Sequence, residues 1–447
     1  MKKVVKFGGS SLASAAQFRK VSAIIHAESS RRYVIPSAPG KRTATDTKVT
    51  DMLYQYYDLV MAGKDSKEIR EHIKQRFYAI INELHIPFDI EATLCEIEAQ
   101  FHQGAGKDYA ASRGEYLNGL LLASYLDMPF VDAKDVICFD EDGKFLSEKT
   151  NERLKKVLSQ YKYAIIPGFY GAMPNGKVKT FSRGGSDITG SLVARAVKAD
   201  LYENWTDVSG FLLADPRIVE NPVPIGIITY KELHELSSMG ACVLHEDAIF
   251  PVKKAGIPIN IKNTNCPDDL GTMIVDNTTL KPNYKITGIA GKKGYWKVKI
   301  SNRKENEDRE CKMLQFLEDH NIPYDCFASD KDAISILMHQ EALNEVKESF
   351  FTNINQDHFY DVEPLDSHIA LVAIGRREIK SKRGFARRVC RTLNAANIHI
   401  KAMSQGDEEL MMLIGVRDED FETAVRVIYD YYIDVKANLV DASLPLF

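Results

Sequence analysis

The apolar positions of this chain change period along its length, and the changes mark out its elements. Val4-Val5-Lys6-Phe7 and Tyr33-Val34-Ile35-Pro36 are short β-type runs. Phe18, Val21, Ile24 and Ile25 recur at helical spacing between them, and further helical stretches follow around 48–62, 66–84 and 91–102. Strand-like runs return at 129–132 and 163–167, with helices predicted at 115–126 and 151–160 before them. Such alternation predicts an α/β fold whose mostly parallel sheet is covered on both faces, with binding loops at the carboxyl ends of the strands. From about 200 to 280 come a turn at Trp205-Thr206-Asp207-Val208-Ser209-Gly210, a helical stretch near 230–240 and the run 257–262. The Pro- and Asn-containing piece 278–283 predicts a linker.

Beyond that linker the chain repeats itself. Val298, Leu317, Asn321 and Ile322 recur 76 positions later as Ile374, Leu393, Asn397 and Ile398. Each copy reads strand, loop, helix, strand, then a second strand and helix. Small βαββαβ units of this kind pair through their sheets. The expected division is therefore 1–280 for the α/β part, 285–366 for the first copy and 367–447 for the second, with strands open to exchange between copies.

Bulk properties narrow the function classes. With 447 residues the chain exceeds one ordinary core, and 45% hydrophobic with 27% charged residues is a globular composition. A net charge of −4 exerts no pull toward nucleic acid or membrane. No apolar run approaches a membrane span, and Met1-Lys2-Lys3 leads into a strand instead of a signal peptide. The seven cysteines are scattered, without a C-x-x-C, so neither a disulfide framework nor a zinc site is expected and the cytoplasm is the expected compartment.

Two glycine-rich helix entries carry the candidate chemistry. Lys6-Phe7-Gly8-Gly9-Ser10-Ser11 joins a strand to a helical stretch, which makes a phosphate cradle with a lysine beside it. It has neither the spacing of a Walker A loop nor the third glycine of a dinucleotide fingerprint. Arg183-Gly184-Gly185-Ser186-Asp187 opens a second helix. There the glycines admit an anion, the Arg can clamp a carboxylate or phosphate, and the Asp can orient a nucleophile or hold a metal. Together they point to phosphoryl transfer onto a small acidic molecule. The bland alternative is a loop with Asp187 as helix N-cap.

These motifs resemble the aspartokinases over essentially the whole chain. Ser37-Ala38-Pro39-Gly40 with Val49-Thr50-Asp51-Met52-Leu53 resembles the family's second phosphate and substrate loop, and Ser112-Arg113-Gly114-Glu115 its substrate-ammonium segment. Trp205–Gly210, Asp215-Pro216-Arg217 and Gly240-Ala241-x-Val243-Leu244-His245 follow in family order, and the C-terminal repeat resembles paired ACT regulatory domains. The resemblance implies a three-layer αβα amino-acid-kinase domain followed by two ferredoxin-like ACT units. It implies that ATP with Mg²⁺ phosphorylates L-aspartate to 4-phospho-L-aspartate, the first step toward lysine, threonine and methionine. The nucleophile is already an anion, so the site must supply positioning and cations, not a base. By resemblance, Lys6 sits on the transferring phosphoryl group, and Gly8, Gly9, Ser10, Gly184, Gly185 and Ser186 line the phosphates. Arg183 clamps the α-carboxylate, Glu115 pairs with the α-ammonium, Ser37 and Thr50 offer hydroxyls, and Asp187 orients Lys6. Thr206, Asp207, Asp215 and Arg217 hold the nucleotide, and no residue is assigned as a metal ligand. The bland alternatives are a first-turn acid for Glu115, an N-cap for Thr50 and a turn for Asp215-Pro216.

Departures from the family pattern bear on regulation and nucleotide contacts. Cys242 and Glu246 replace the usual Lys and Pro, with Lys253 or Lys254 as candidates to compensate. The second copy keeps a glycine turn at Lys382-Arg383-Gly384-Phe385, whereas the first carries Glu305-Asn306-Glu307-Asp308-Arg309-Glu310. Ser404-Gln405-Gly406 is followed by Asp407-Glu408-Glu409. The resemblance makes lysine, or else threonine, the expected effector, and because acids so placed repel an effector carboxylate its inhibition is expected to be weakened or lost. Paired ACT units imply a homodimer or a dimer of dimers, and the chain ends too soon after the second copy for a fused homoserine dehydrogenase. A kinase for glutamate or a carbamate and a silent amino-acid sensor are the alternatives.

Overall fold

The computed structural model describes residues 1–182, 184–240, 246–278, 284–302, 326–329, 333–341, 360–376, 384–405 and 410–434, together with 315, 317–319, 324 and 344. It folds as two compact units. Met1–Phe211, Pro224–Tyr230 and Val243–Leu280 form the first, and Leu212–Val223, Lys231–Cys242 and Lys281–Phe447 the second. The units thus do not part at a single point near 280, because two excursions from the α/β region belong with the C-terminal part.

In the first unit, β1 (Lys3–Phe7) is buried throughout and lies between β2 (Arg31–Pro36) and β6 (Leu201–Thr206), parallel to both. The sheet continues to β3 (Ala164–Ile165) on one side. On the other it runs through β8 (Ile259–Asn263) and β9 (Thr272–Val275) to β7 (Ile227–Thr229), and only the β8–β9 pair is antiparallel. Strand side chains alternate between faces. Val5 and Phe7 join one core with α1 (Ala15–Ala27), α2 (Val49–Met61), α3 (Lys67–Leu84), α4 (Ile90–His102) and α5 (Lys107–Leu126), around Phe18, Leu53, Phe77, Phe101 and Leu121. Lys6 therefore points to the opposite face, against α8 (Gly185–Val197). Helices thus cover both faces of a mostly parallel sheet, as the alternating pattern predicts.

Three local expectations differ from the structure. The pattern marks a helix from 115, but α5 begins at Lys107. It is buried nearly all round, including Ser112, Arg113, Gly114, Glu115 and Asn118, so it carries no apolar stripe to read. The expected strand at 129–132 is a single bridge, Phe130 to Ile165, after which Asp132 caps the short α6 (Ala133–Val136). The second glycine turn follows a small hairpin of β4 (Tyr170–Ala172) and β5 (Val178–Thr180), not a strand of the parallel sheet. The unit is completed by α7 (Ser147–Leu158) and α10 (Glu246–Lys254); α9 (Tyr230–Ser238) starts in it and runs into the second unit.

The second unit is built on a six-stranded antiparallel sheet: β11 (Cys326–Ser329), β12 (Ala333–His339), β10 (Gly288–Asn302), β13 (Tyr360–Gly375), β15 (Met411–Arg417) and β14 (Ala402–Gln405) in spatial order. Repeat positions Val298, Leu317, Ile374, Leu393 and Ile398 are all buried, which is why they recur. Asn397 adopts φ +58° just after α11 (Phe385–Ala395), and Ile398 N–H returns to Leu393 O at 3.0 Å to close the helix. Asn321 and Ile322 lie outside the described residues. β13 is one strand across the expected 366/367 division and pairs with β10 on both sides of it. α12 (Phe421–Asp434) closes the described part.

Candidate active site

The first glycine loop leaves β1 at its carboxyl end. Gly8 N–H donates to Trp205 O at 2.9 Å, which holds the loop beside the end of β6, and Ser37 N–H donates to Phe7 O at 3.1 Å, which brings the 37–40 loop alongside. The two loops interlock: Gly40 N–H donates to Gly9 O at 2.8 Å. A Cβ on Gly9 would stand 2.9 Å from Ala38 O, and one on Gly40 would stand 2.5 Å from the Gly9 carbonyl carbon. Neither position has room for a side chain.

The second glycine turn approaches from the other face. Gly184, at φ +57°, is the N-cap of α8, and a Cβ on Gly185 would meet the Phe169 ring at 2.5 Å. Asp187 is therefore not the cap. Its Oδ1 lies 2.7 Å from Lys6 Nζ and accepts from Asn204 Nδ2 at 2.8 Å. Lys6 is 8% exposed, and its Nζ also reaches Asn204 Oδ1 at 3.4 Å. The lysine beside the first loop is thus held by the acid that follows the second. Ser186 is buried, and Gly9, Ser10 and Gly184 are half-buried.

Glu115 lies in the middle of α5, so the first-turn reading falls; Asp108 occupies that place. Burial pushes its carboxyl from an ordinary 4.5 up to about 8, against the Ala38 N–H, its own N–H and the Arg113 and Lys6 charges that pull it down. Its Oε2 is buried without a hydrogen-bond partner. Ser37 and Thr50 are half-buried on the neighbouring loop and helix. Thr50 is inside α2, whose N-cap is Lys48, so it is not a cap. Thr206 ends β6 and Asp207 follows it, next to the first loop, and Thr206 Oγ1 donates to Asp207 Oδ1 at 3.2 Å.

Not every expected residue joins this cluster. Arg183 and Cys242 lie outside the described residues. Asp215 and Arg217 belong to the second unit. Arg217, with its side chain 88% exposed, folds its guanidinium back on Asp215, and Asp215 O accepts from Ile218 N–H at 2.9 Å in a turn. Lys253 is half-buried, and exposed Lys254 acts on Glu148.

Sequence reading gave no role to four residues around the site. Asn204 ties Asp187 in place. Asn118, fully buried, donates to Ser37 O at 2.6 Å. Arg76 donates to Gly40 O at 2.6 Å and Thr47 O at 2.9 Å, which anchors the second loop to α3. Arg113 stacks within 4.3 Å of Tyr109, 4.2 Å of Tyr116 and 5.4 Å of Tyr170. A legible signal existed for two of them. Tyr109 and Tyr116 flank Arg113 at helical spacing, and Asn204 is a polar residue inside an otherwise strand-like run.

Among the described residues no group of three His, Cys, Asp or Glu side chains could hold a metal, and no helix is long and apolar enough to cross a membrane.

Residues 1–263 match the amino acid kinase family, and residues 372–432 match an ACT domain. Aspartokinase 3 of Bacillus subtilis is 35% identical over 96% of this chain and 98% of its own. This chain is an aspartokinase-family member. The crystal structure of Clostridium acetobutylicum aspartate kinase agrees, with 46% identity and a TM-score of 0.89 over 96% of this chain and 100% of that one. Escherichia coli aspartokinase III shares the fold at 23% identity and a TM-score of 0.72. Its structures were solved with aspartate and ADP (R-state, covering 96% of this chain and 99% of that one) and with lysine and aspartate (T-state, 97% and 99%). The family member described here is an ATP-dependent kinase with an ACT-containing C-terminal part.

Proposed function

We propose that this kinase transfers the γ-phosphoryl group of ATP to the β-carboxylate of L-aspartate, giving 4-phospho-L-aspartate for lysine, threonine and methionine synthesis in the cytoplasm. The observation that carries the substrate assignment is the buried, partner-free Glu115 oxygen near the Lys6–Asp187 pair. A primary ammonium seated there leaves the far carboxylate of a short amino diacid free to face Lys6. The family assignment supports the same reading.

Each residue has a physical task. Gly8, Gly9 and Ser10 present backbone N–H groups to phosphate oxygens, and Gly184, Gly185 and Ser186 do so from the start of α8. Lys6 offsets charge on the transferring group, and Asp187 with Asn204 fixes the direction of its ammonium. Arg183 clamps the α-carboxylate, while Ser37 and Thr50 offer hydroxyls to the acceptor or phosphates. Thr206 and Asp207 hold the nucleotide beside the first loop. Mg²⁺ would neutralise charge on the phosphates.

Regulation and assembly belong to the same reading. Gly384, at φ +84°, caps α11, an eleven-residue helix whose start suits an effector carboxylate. The acidic 305–310 segment of the first copy argues that lysine inhibition is weak, with threonine as the alternative effector. Assembly is as a homodimer or dimer of dimers through the ACT sheets. The test is ATP turnover with L-aspartate, L-glutamate and Mg²⁺, with and without L-lysine or L-threonine, beside analytical ultracentrifugation. Aspartate-dependent turnover is expected; turnover with glutamate alone overturns the substrate, and full inhibition by sub-millimolar lysine overturns the regulatory reading.

A further inference from the structure

Two side chains on α5 end in oxygens without a hydrogen-bond partner, and both are acceptors once Glu115 is ionised by a bound ammonium. Glu115 Oε2 and Asn118 Oδ1 are both buried without a hydrogen-bond partner, on residues only 7% and 0% exposed. Three positions apart on a helix, the two side chains are neighbours on one face, with Cβ atoms about 5–6 Å apart. Both address the same loop: Ala38 N–H donates to Glu115, and Asn118 Nδ2 donates to Ser37 O at 2.6 Å. That second bond fixes which way the amide points. Turned over, it would set Oδ1 against the Ser37 carbonyl oxygen, so the free atom of Asn118 is an acceptor.

A buried acceptor without a donor is unfavourable, and two on one helix face call for a group with several N–H bonds. A primary ammonium has three. The lysine at hand does not fill the role, because Lys6 Nζ is engaged with Asp187 and Asn204. We propose that Asn118 is a second substrate-binding residue: its Oδ1 and Glu115 Oε2 together accept two N–H bonds of the substrate's α-ammonium, while its Nδ2 ties that contact to the 37–40 loop. Because Gly40 interlocks with Gly9, seating of the ammonium is linked to the loop that cradles phosphate. The inference deepens the function proposed above and rests on it.

Asn118→Leu keeps the branched shape, at a larger volume, and removes both polar atoms; Asn118→Ser, which creates no apolar overpacking, serves if the leucine variant fails to fold. KM for aspartate, KM for ATP and kcat are measured for each against wild type. The inhibition constant of L-malate, which has a hydroxyl in place of the ammonium, is measured alongside, with thermal melts as the folding control. The expected result is a rise of about 10- to 100-fold in KM for aspartate, at least tenfold more than the rise for malate, with KM for ATP within about threefold. Parallel losses for aspartate and malate would make Asn118 a support of the loop and overturn the ammonium contact. An unchanged KM for aspartate in a folded variant overturns it as well. Wild-type protein without aspartate turnover would overturn the function itself, and that is visible before any variant is compared.

Discussion

Replacing Glu115 with Gln separates two consequences of one buried carboxyl. Burial moves it from 4.5 to about 8, a change that corresponds to roughly 4–5 kcal/mol. Between those two pH values the folded protein keeps a proton that the unfolded chain has released. The unfolded state therefore binds fewer protons, and stability falls as pH rises through this window before levelling above pH 8. Glu115→Gln is isosteric and has no proton to lose, so its stability should not follow that slope. At pH 5 parent and variant should match within ~1 kcal/mol; at pH 8 the variant should be the more stable by several kcal/mol. Urea unfolding in a Trp296→Phe background reads this out, since Trp205 is then the only tryptophan and lies in the core of the first unit. The same variant should lose about 10²–10³-fold in kcat/KM for aspartate, because a neutral amide cannot balance an ammonium. Parallel pH profiles for parent and variant would refute the assignment of a strained, empty carboxyl.

Other perturbations test the parts around it. Lys6→Met should lower kcat by about 10²–10³-fold with the fold retained, read by turnover and a thermal melt. Gly9→Ala places a Cβ 2.9 Å from Ala38 O, so it should cost about 1–3 kcal/mol and raise KM for ATP, checked by urea unfolding and kinetics. At the other end of β1, Glu203 is 1% exposed and sits between Lys3 Nζ at 2.9 Å and Arg31 Nε at 2.8 Å. Burial pushes its carboxyl up, but the Arg31 and Lys3 contacts outweigh that and hold it below 4.5, so its contribution is present above pH 4.5 and lost as pH falls below. Glu203→Gln should therefore cost about 3–5 kcal/mol at pH 7, with the difference shrinking at acid pH in unfolding experiments.

How much of this was legible follows from how each element is buried. β1, β2 and α2 to α4 each bury one face or a short apolar run, and their periods locate them within a residue or two of the observed ends. α5 buries every face and packs Ser112, Arg113, Glu115 and Asn118 inside, so the same period test misses its first two turns. The proposed substrate contacts sit on that helix, and the residues they use are among those that erase its stripe. The 76-residue repeat was readable because its matching apolar positions are core positions. Lys6 and Asp187 stood out from their glycine turns, but with 181 positions between them in the chain only the family resemblance, not the local pattern, pointed to their pairing. Asn204 and Asn118 carry no motif; only the tertiary fold turns their amides toward Asp187 and Ser37.

The charge state of the free site has one further consequence. With its carboxyl near 8, Glu115 is mostly protonated at pH 7 when no substrate is bound, by about ten to one. An ammonium placed against Oε2 favours the carboxylate, because an opposite charge in a buried site lowers the pKa. Aspartate itself arrives fully charged and has no group that titrates near neutrality. Binding at pH 7 should therefore release close to one proton, about 0.9 per site, and the release should fade as pH rises past 8. Calorimetric titration with aspartate in buffers of different ionisation enthalpy measures the number directly. Arg113 and Lys6 already bear on the carboxyl in the free protein, so the change on binding isolates the substrate's own charge. Proton release that persists in Glu115→Gln would assign the titrating group elsewhere. Heats independent of buffer in the parent would mean that the carboxyl is ionised before substrate arrives, and the site would then be an open anion awaiting a cation, not a neutral acid that ionises to meet one.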